Sequence, residues 1–465
     1  MDPSNFNYNG LLYDASGEQV DCWLHHQNLD PSGDPQFISL KFMLEHADIG
    51  LVVKSIELLF RRHESLRSFF KVVEGEVMQC VMPYSNEIFS PSHYDICNER
   101  DIEGAISGIV RAAVGCLREL GRPPLLRCSI IRCSEKDLRV VLVIHHIISD
   151  DWSKKVIERE LVYLYETLQS GIVVEMSPAR RQLKDYVDWQ KEWLKENESF
   201  SHQYWHEKLS KVDGTFLFNR LLEQNAFLHP SIDREGLVRR SEEDLLKAVG
   251  EAETGHYIYH IDGVYYDRLC RFSVYCNNSI SAILNSSIQL LFFLIAGRKP
   301  ILIATPFASR YFPGAETIIG YLVGIVYLHQ EIDEDLAIKE LIKKAYFDFL
   351  NSCMLPIFNH SKMKFPLTLR LYTDISVNYE SSDFSSDENL NIHENKGHYI
   401  DKPSQYYGLI FSLSKFRDGL SCRWAYNTGV YSLEMIDYIL ERHRELLGLM
   451  MENPDITVRQ LLCKI

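Results

Sequence analysis

Apolar and polar positions along the N-terminal third of the chain follow two different periods. Apolar residues spaced three and four apart predict amphipathic helices at residues 49–63 and 103–117. Residues 69–82 predict a β-hairpin with a Glu-Gly turn, and residues 125–131 predict a further strand. Residues 138–144 (LRVVLVI) are apolar almost throughout, which is typical of a strand that is covered on both faces.

This apolar strand leads through a short polar loop into a helix. The loop is HHIISDD (145–151), and apolar residues continue at helical spacing over 152–168, followed by Gly171, which is placed to end the helix. The last third of the chain shows strands and helices again. Strands are predicted at 301–305, 321–329, 409–413 and 419–426, and helices at 336–350 and 433–450. Two lobes of similar α/β content are the simplest account of this order.

Three segments depart from the alternation of strands and helices. Residues 279–297 carry no charge, but polar residues among them leave an apolar stretch too short to cross a bilayer, so we predict a buried core helix. Residues 381–396 form the most polar stretch and predict a long exposed loop. Residues 233–254 are rich in charge and predict a surface connection with a short helix.

The composition is that of a globular protein with an acidic balance. A chain of 465 residues usually forms two or three compact units or one two-lobed body. Aromatic residues make up 12% of the chain, which excludes a long disordered protein. The formal net charge of −15 argues against general binding of nucleic acid or anionic membrane, since both need a basic surface.

The cysteines and the isolated histidine pairs predict no metal site. The 11 cysteines are scattered and form no CxxC pair, so we expect reduced, mostly buried thiols in a cytoplasmic protein. His202 and His206 have the spacing of two metal ligands on a helix, but no Glu follows His202 as HExxH requires. His25 and His26 are expected to be exposed. The start of the chain has no basic and no apolar segment, so we expect no signal peptide.

The loop HHIISDD is the candidate functional segment, because two histidines end a buried strand. Adjacent strand residues point to opposite faces, so His145 and His146 cannot do the same job if the strand continues through them. Asp150 and Asp151 fall at the predicted N-terminus of the helix, where carboxylates are favoured by the helix dipole and cap free N–H groups. On these residues alone two interpretations stay open: a functional loop, or capping acids beside core histidines.

Residues 143–153 (VIHHIISDDWS) resemble the HHxxxDG motif of the nonribosomal peptide synthetase condensation-domain superfamily. Further segments resemble that family's other motifs and follow in the same order. They are RRHESLRSFF (61–70), LKDYVDW (183–189), the following helix QYWHEKL (203–209), TPFASR (305–310), IGYLVG (319–324) and the final strand and helix (419–440). Each match is weak by itself, but the set spans nearly the whole chain.

The resemblance implies an α/β fold of two lobes, each like chloramphenicol acetyltransferase, with a channel between them. We place the N-terminal lobe, which carries the HHxxxD loop, at residues 1–178 and the C-terminal lobe at 179–465. By the same resemblance His146 is the catalytic residue, and His145 and Asp150 are supporting or structural. Arg310 stands where the family commonly has an Arg of the other lobe that pairs with the motif Asp.

The resemblance also implies the reaction and its partners. The leading function is transfer of an acyl group from a carrier-protein thioester to an amine, or less often an alcohol, which gives an amide or ester. An acyl or peptidyl carrier protein would bring the phosphopantetheine arm, so we expect no intrinsic cofactor and no metal. The second partner is a small-molecule acceptor. No GxSxG nucleophile competes with His146. We expect a monomer that binds neither nucleic acid nor membrane.

The sequence departs from the family pattern at several positions. Asp151 replaces the usual Gly after the motif Asp, and Gly324 replaces the usual Asn of GxFVN. With Trp152 these residues are expected to shape the channel. Asp151 either attracts a cationic acceptor or caps the following helix. Two later motifs are degraded at residues 351–358 and 359–367.

These departures keep two other functions open. One is a non-catalytic docking module that binds carrier proteins or tailoring enzymes, and the other is a coenzyme A-dependent acyltransferase. The intact histidine pair favours catalysis, whereas Asp151 and the degraded motifs favour the docking module. With no evident carrier-protein or adenylation segment, we expect a free-standing enzyme or one domain of a larger synthetase.

Overall fold

The computed structural model describes most of the chain, and the described residues form two compact units. They are residues 10–27, 36–85, 89–174, 178–212, 217–224, 241, 244, 253–355, 375–380, 396–403, 408–416 and 419–465. The first unit comprises the described residues of Met1–Glu198 and Ala308–Gly324. The second comprises those of Ser199–Phe307, Ile325–Ile357 and Met363–Ile465. The predicted loop at 381–396, nearly all of 233–254, and the degraded motif at 359–367 lie outside the described residues.

The division of the chain differs from the predicted boundary at residues 178 and 179. The first unit extends to Glu198, inside a single helix that covers both of the motifs at 183–189 and 203–209. It also takes in Ala308–Gly324. The reason is packing: the start of that helix and this later segment share one apolar cluster. Its buried members are Leu183, Tyr186, Phe312, Ala315, Ile318 and Leu322.

The first unit contains two small sheets and the helices that pack on them. In chain order its elements are β1 (Leu11–Asp14), α1 (Gly17–Gln27), β2 (Phe37–Glu45), α2 (Ile49–Arg62), β3 (Ser68–Val73), β4 (Glu76–Val81), β5 (Ser92–Asp95), α3 (Ile102–Gly115), β6 (Leu126–Arg132), β7 (Asp137–His145), α4 (Asp151–Gln169) and α5 (Leu183–Leu209), whose residues after Glu198 belong to the second unit. The strand orders are β1-β4-β3 and β2-β7-β6-β5. The predicted hairpin is confirmed: Glu74 and Gly75 join β3 to β4, both with positive φ.

Strand β7, which leads to the candidate loop, is covered on both faces as predicted. It pairs antiparallel with β2 on one side and β6 on the other. The even-numbered residues of β7 pack in one core cluster with α2 and α4; they are Leu138, Val140, Leu142 and Ile144. Val141 and Val143 pack in another cluster, with α3. The alternation of strand side chains therefore buries β7 almost completely and directs Val141 and Val143 toward α3.

The second unit is built around one large mixed sheet. Its elements are α6 (Leu217–Glu223), β8 (Glu253–Ile261), α7 (Gly263–Cys276), α8 (Ile280–Ile295), β9 (Leu302–Ala308), β10 (Val323–His329), α9 (Ile338–Met354), β11 (Ile375–Glu380), β12 (Lys396–Pro403), β13 (Leu409–Phe416), β14 (Gly419–Asn427), α10 (Leu433–Glu452) and α11 (Val458–Leu462). The described strands have the order β10-β9-β11-β13-β14-β8-β12. The predicted α/β fold class is confirmed in both units.

The uncharged segment is the core helix α8, as predicted. Nearly all of its side chains are buried, including polar ones such as Asn285 and Gln289. Ser279 caps its N-terminus by accepting a hydrogen bond from the Ala282 N–H. Among the described residues no single helix is long and apolar enough to cross a membrane. Helices α7 and α8 meet that test only together, across a bend of 94°.

Candidate active site

The two adjacent histidines lie where β7 ends, and they face different surroundings. The His145 N–H donates to the Leu125 carbonyl, and the His146 N–H donates to the Gln36 carbonyl, each at 2.9 Å. The chain then makes a short 3₁₀ turn, His146–Ile148, before α4 begins. His145 is fully buried, whereas His146 is partly exposed. The expected difference between the two positions is therefore present, although the strand ends at His145.

The His145 ring is bonded on both sides inside the first unit. Its Nδ1 accepts the Ile147 N–H at 3.0 Å, and its Nε2 lies 3.3 Å from Nδ1 of His26. Nε2 of His26 is in turn 2.8 Å from the Arg118 carbonyl oxygen. Burial holds the pKa of His145 well below its usual range, and the nearby His26 and His146 lower it further. Burial therefore favours the neutral imidazole, and the structural role of His145 stays a prediction.

The His146 ring is oriented by the loop that carries it. Its Nδ1 lies 2.7 Å from the Ser149 carbonyl oxygen. A carbonyl oxygen only accepts hydrogen bonds, so Nδ1 carries the proton and Nε2 of the neutral ring carries the lone pair. None of the described residues hydrogen-bonds Nε2. The Tyr321 ring packs edge-to-face on the imidazole, with centroids 5.0 Å apart. His146 thus presents a nitrogen lone pair that has no hydrogen-bond partner among the described residues.

Asp150 is the N-cap of α4 and is almost completely buried. Its Oδ1 accepts both the N–H and the hydroxyl of Ser153 at 2.7 Å, and its Oδ2 accepts the Leu322 N–H at 3.2 Å. Nη2 of Arg310 donates to both carboxylate oxygens, at 2.7 and 2.9 Å. The carboxylate is therefore satisfied from its own helix and from a segment 160 or more residues later in the chain.

Arg310 completes this arrangement from the later segment. Its Nη1 donates to the carbonyl oxygens of Ala315 and Ile318, at 2.6 and 2.8 Å. Burial lowers the pKa of the guanidinium, and the opposing charge of Asp150 offsets part of that effect. The pair with Asp150 is present as the resemblance implied. Arg310 does not come from a separate lobe, however, because Ala308–Gly324 packs within the same compact unit as the histidine loop.

Asp151 and Trp152 form the first turn of α4 but are held differently. Asp151 is partly exposed, and its carboxylate makes no hydrogen bond or ion pair with the described residues. Asp150, and not Asp151, is the residue that caps the helix by a hydrogen bond. Nε1 of Trp152 donates to the Glu316 carbonyl oxygen at 3.0 Å, and the Arg310 guanidinium lies 5.6 Å from the centre of the indole ring.

Gly324 also lies outside the hydrogen-bond network around Asp150. It is the second residue of β10 and is buried. No hydrogen bond joins it to His146 among the residues that the structure describes. The role of Gly324 in shaping a channel therefore stays a prediction.

Several residues of the site were not predicted, and most come from α1. Nε2 of Gln19 donates to the Ile147 carbonyl at 3.1 Å, so α1 contacts the 3₁₀ turn directly. Glu18 is buried and accepts the Tyr186 hydroxyl at 2.6 Å; burial raises its pKa. The prediction that His26 is exposed is wrong, since its ring is partly buried and bonded on both sides.

A local signal for this helix was present in the sequence. Ser16 and Gln19 form a capping box: the Ser16 hydroxyl accepts the Gln19 N–H at 3.1 Å, and the Gln19 side chain accepts the Ser16 N–H at 3.0 Å. The pattern S-x-x-Q is the recognised start of a helix. It locates α1, but it does not say that the first turn of α1 packs against His146–Ile148.

The comparisons with known proteins agree with this fold. Residues 13–463 match the sequence profile of the condensation domain. The chain is 24% identical over 466 residues to tyrocidine synthase 3 of Brevibacillus parabrevis, a match that covers 97% of this chain and 6% of that protein. The chain therefore belongs to the condensation-domain family, and it spans less than a tenth of the length of this relative.

Solved structures show the same fold at low sequence identity. The condensation domain that mediates chain release from the enacyloxin polyketide synthase matches with a TM-score of 0.72 and 15% identity, over 96% of this chain and 84% of that one. The first condensation domain of the calcium-dependent antibiotic synthetase matches with a TM-score of 0.69 and 16% identity, over 97% and 98% of the two chains.

Proposed function

We propose that this chain transfers an acyl group from a phosphopantetheine thioester, carried by an acyl or peptidyl carrier protein, to an amine or alcohol acceptor. The product is an amide or an ester. Membership in the condensation-domain family supports this class of reaction. The observation that carries the proposal is Nε2 of His146, which has no hydrogen-bond partner among the described residues and which carries the lone pair because Nδ1 donates to the Ser149 carbonyl.

The proposed reaction needs no group beyond this imidazole and the two substrates. Nε2 of His146 accepts a proton from the acceptor N–H or O–H as the nitrogen or oxygen attacks the thioester carbonyl carbon. The resulting tetrahedral oxyanion collapses, the C–S bond breaks, and the departing thiolate takes the proton back from His146. Thioesters are already activated, so no acyl-enzyme and no metal ion is required. Phosphopantetheine enters as part of the donor substrate.

The surroundings of His146 support a fixed geometry during this step. The Ser149 bond sets the ring tautomer, Tyr321 packs against the ring, and Asp150 with Arg310 anchors the far end of the loop. Holding reactants in a near-attack arrangement contributes a large share of the rate in such bimolecular reactions. The same bond also stabilises the imidazolium that forms when Nε2 is protonated, because the Nδ1–H becomes a stronger donor.

Mass spectrometry of products tests the proposal. The protein is incubated with acyl-pantetheine thioesters, with an acyl-loaded carrier protein and with a panel of amines and alcohols. His146→Ala should lower turnover by a factor on the order of 10² or more while leaving the circular dichroism spectrum unchanged. The matched control is His93→Ala, which removes an exposed histidine of β5. Full activity in a folded His146→Ala protein contradicts the catalytic assignment.

Two outcomes would favour the other functions. Tight binding of a loaded carrier protein without product from any acceptor favours a docking module. Equal turnover with acyl-coenzyme A and with the loaded carrier protein favours a coenzyme A-dependent acyltransferase. Selective use of the carrier-bound donor supports the proposed condensation reaction.

A further inference from the structure

His26 links the buried histidine of the active-site loop to a distant part of the first unit. It lies in the last turn of α1, and its ring meets the His145 ring edge-to-face with centroids 5.1 Å apart. Its Nδ1 faces Nε2 of His145 at 3.3 Å, and its own Nε2 reaches the Arg118 carbonyl at 2.8 Å. The two rings therefore form a chain of hydrogen bonds that ends at a backbone acceptor.

The groups at the two ends of this series of hydrogen bonds determine which ring nitrogen of each histidine carries the hydrogen. The Ile147 N–H can only donate, so Nδ1 of His145 carries the lone pair and its Nε2 carries the hydrogen. That hydrogen is donated to Nδ1 of His26. The Arg118 carbonyl oxygen can only accept, so His26 carries its own hydrogen on Nε2. Each ring is held in one tautomer, and the hydrogen bonds run in one direction from Ile147 to Arg118.

The arrangement requires both rings to be neutral. A proton added to Nδ1 of either ring would remove the acceptor that the neighbouring donor needs. Burial lowers the pKa of both His145 and His26, which keeps the neutral forms populated.

Helix α1 consequently holds Ile147 at both of its backbone polar groups. The Ile147 N–H is held through His26 and His145, and the Ile147 carbonyl is held directly by Gln19. Ile147 is the middle residue of the turn that begins with His146. If His145 changed to the other tautomer, its Nδ1–H would face the Ile147 N–H, donor against donor, and the turn would lose this bond.

We propose that His26 is a positioning residue for acyl transfer: by fixing the tautomer of His145 it maintains the turn that aims His146 at the acceptor. This inference rests on the proposed function of His146. It predicts a specific state of His145 in the resting protein, and it predicts an effect on the chemical step that exceeds the effect on substrate binding.

The decisive variants are His26→Gln and His26→Leu. A Gln amide offers an oxygen that accepts from His145 and an N–H that donates to Arg118, so it can replace both bonds. Leu keeps comparable bulk but replaces neither bond. His93→Leu serves as the matched control, since His93 is an exposed histidine of the same unit.

The first measurement is a two-bond ¹H–¹⁵N correlation spectrum of the histidine-labelled full chain at pH 7, with the His145 signals assigned by their loss in His145→Leu. We expect His145 as the Nε2–H tautomer in the wild-type protein, in His26→Gln and in His93→Leu. We expect a mixture of tautomers in His26→Leu. A wild-type His145 with its hydrogen on Nδ1, or an unchanged tautomer in His26→Leu, would overturn the proposal.

The second measurement is steady-state kinetics in the acyl-transfer assay. His26→Leu should lower kcat by at least about tenfold and leave KM within about twofold, because a misaligned general base affects the chemical step. His26→Gln should recover kcat to within about threefold of wild type. Full activity in His26→Leu, or failure of His26→Gln to recover kcat despite a restored His145 tautomer, would remove the positioning role.

The two measurements separate this inference from the proposed function. If the wild-type protein forms no product from any donor and acceptor, the proposed function fails, and the spectra still decide whether His26 sets the tautomer of His145. If product forms and depends on His146 while the spectra contradict the assigned tautomers, only the role of His26 fails.

Discussion

Removal of the Arg310 side-chain charge should destabilise the first unit by the amount typical of a broken buried ion pair. The side chains of Arg310 and Asp150 are 5% and 1% exposed, so neither can be solvated again without opening this part of the fold. Breaking such a pair costs about 3–5 kcal/mol. Asp150 keeps its bonds from Ser153 and Leu322 when Arg310 is replaced, but the Ala315 and Ile318 carbonyls lose their donor, so the full range applies to Arg310→Met.

The opposite truncation should cost more. Asp150→Ala leaves the guanidinium buried without its counter-ion, and it also removes the N-cap of α4, which is worth about 1 kcal/mol. The double variant, Asp150→Ala with Arg310→Met, should lose less stability than the two single variants lose together. The difference should be about 0.5–3 kcal/mol, because the two side chains interact directly.

Hydrogen exchange followed by mass spectrometry measures the effect locally, which matters because the chain folds as two compact units. Arg310→Met should speed exchange of slow amides in Asp151–Gln169 by about two to three and a half powers of ten. Lys54→Met, which breaks the partly exposed Lys54–Glu57 pair in the same unit, should change the exchange rate by less than about fivefold. Equal rates of amide exchange in Arg310→Met and Lys54→Met would refute the buried pairing.

Three further predictions follow from other side chains. His145→Leu should cost about 1–3 kcal/mol and lower the melting temperature, because the Ile147 N–H loses its acceptor; an unchanged melting temperature would contradict the structural role. Asp151→Gly should raise KM by up to about tenfold for cationic amines and leave KM for neutral amines unchanged, because this carboxylate has no partner among the described residues. An equal change in KM for both classes of amine would exclude Asp151 from acceptor recognition. Burial lowers the pKa of His443 to about 4, so the unfolded chain binds this proton at a higher pH than the folded protein does. The free energy of unfolding therefore falls by about 1.4 kcal/mol per pH unit as the pH is lowered from 6.5 to 4. Urea unfolding of the second unit at pH 7 and pH 5 measures this fall in the free energy of unfolding. The fall should be smaller by this amount in His443→Leu than in the wild-type protein, and an equal fall in both would contradict the prediction.

Much of the secondary structure near the site was predictable because its signals are local. The apolar run at 138–144 and the helical spacing over 152–168 correspond to β7 and α4 within one residue at each end. The order of weak motifs identified the condensation-domain family and pointed to the pair of Asp150 with Arg310. That pairing was inferred from the resemblance, since no local pattern relates two residues 160 positions apart.

The boundary of the first unit could not be found in this way. Helix α5 runs without a break from Leu183 to Leu209, so no helix end marks Glu198 as a division point. The cluster formed by Leu183 and Tyr186 with residues 312–322 determines which compact unit those segments join. Such packing depends on side chains that meet only after the chain has folded.

By itself, the sequence determined that a pair of histidines would end a buried strand, and that a carboxylate would follow at the start of a helix. Strand alternation, helical periodicity and capping act over a few residues, so they can be read from neighbouring positions. Only the tertiary structure decided the state of each ring. His26, His145 and Arg118 come from separate segments, and the tautomer of an imidazole is set by the donor or acceptor that packing places at each nitrogen.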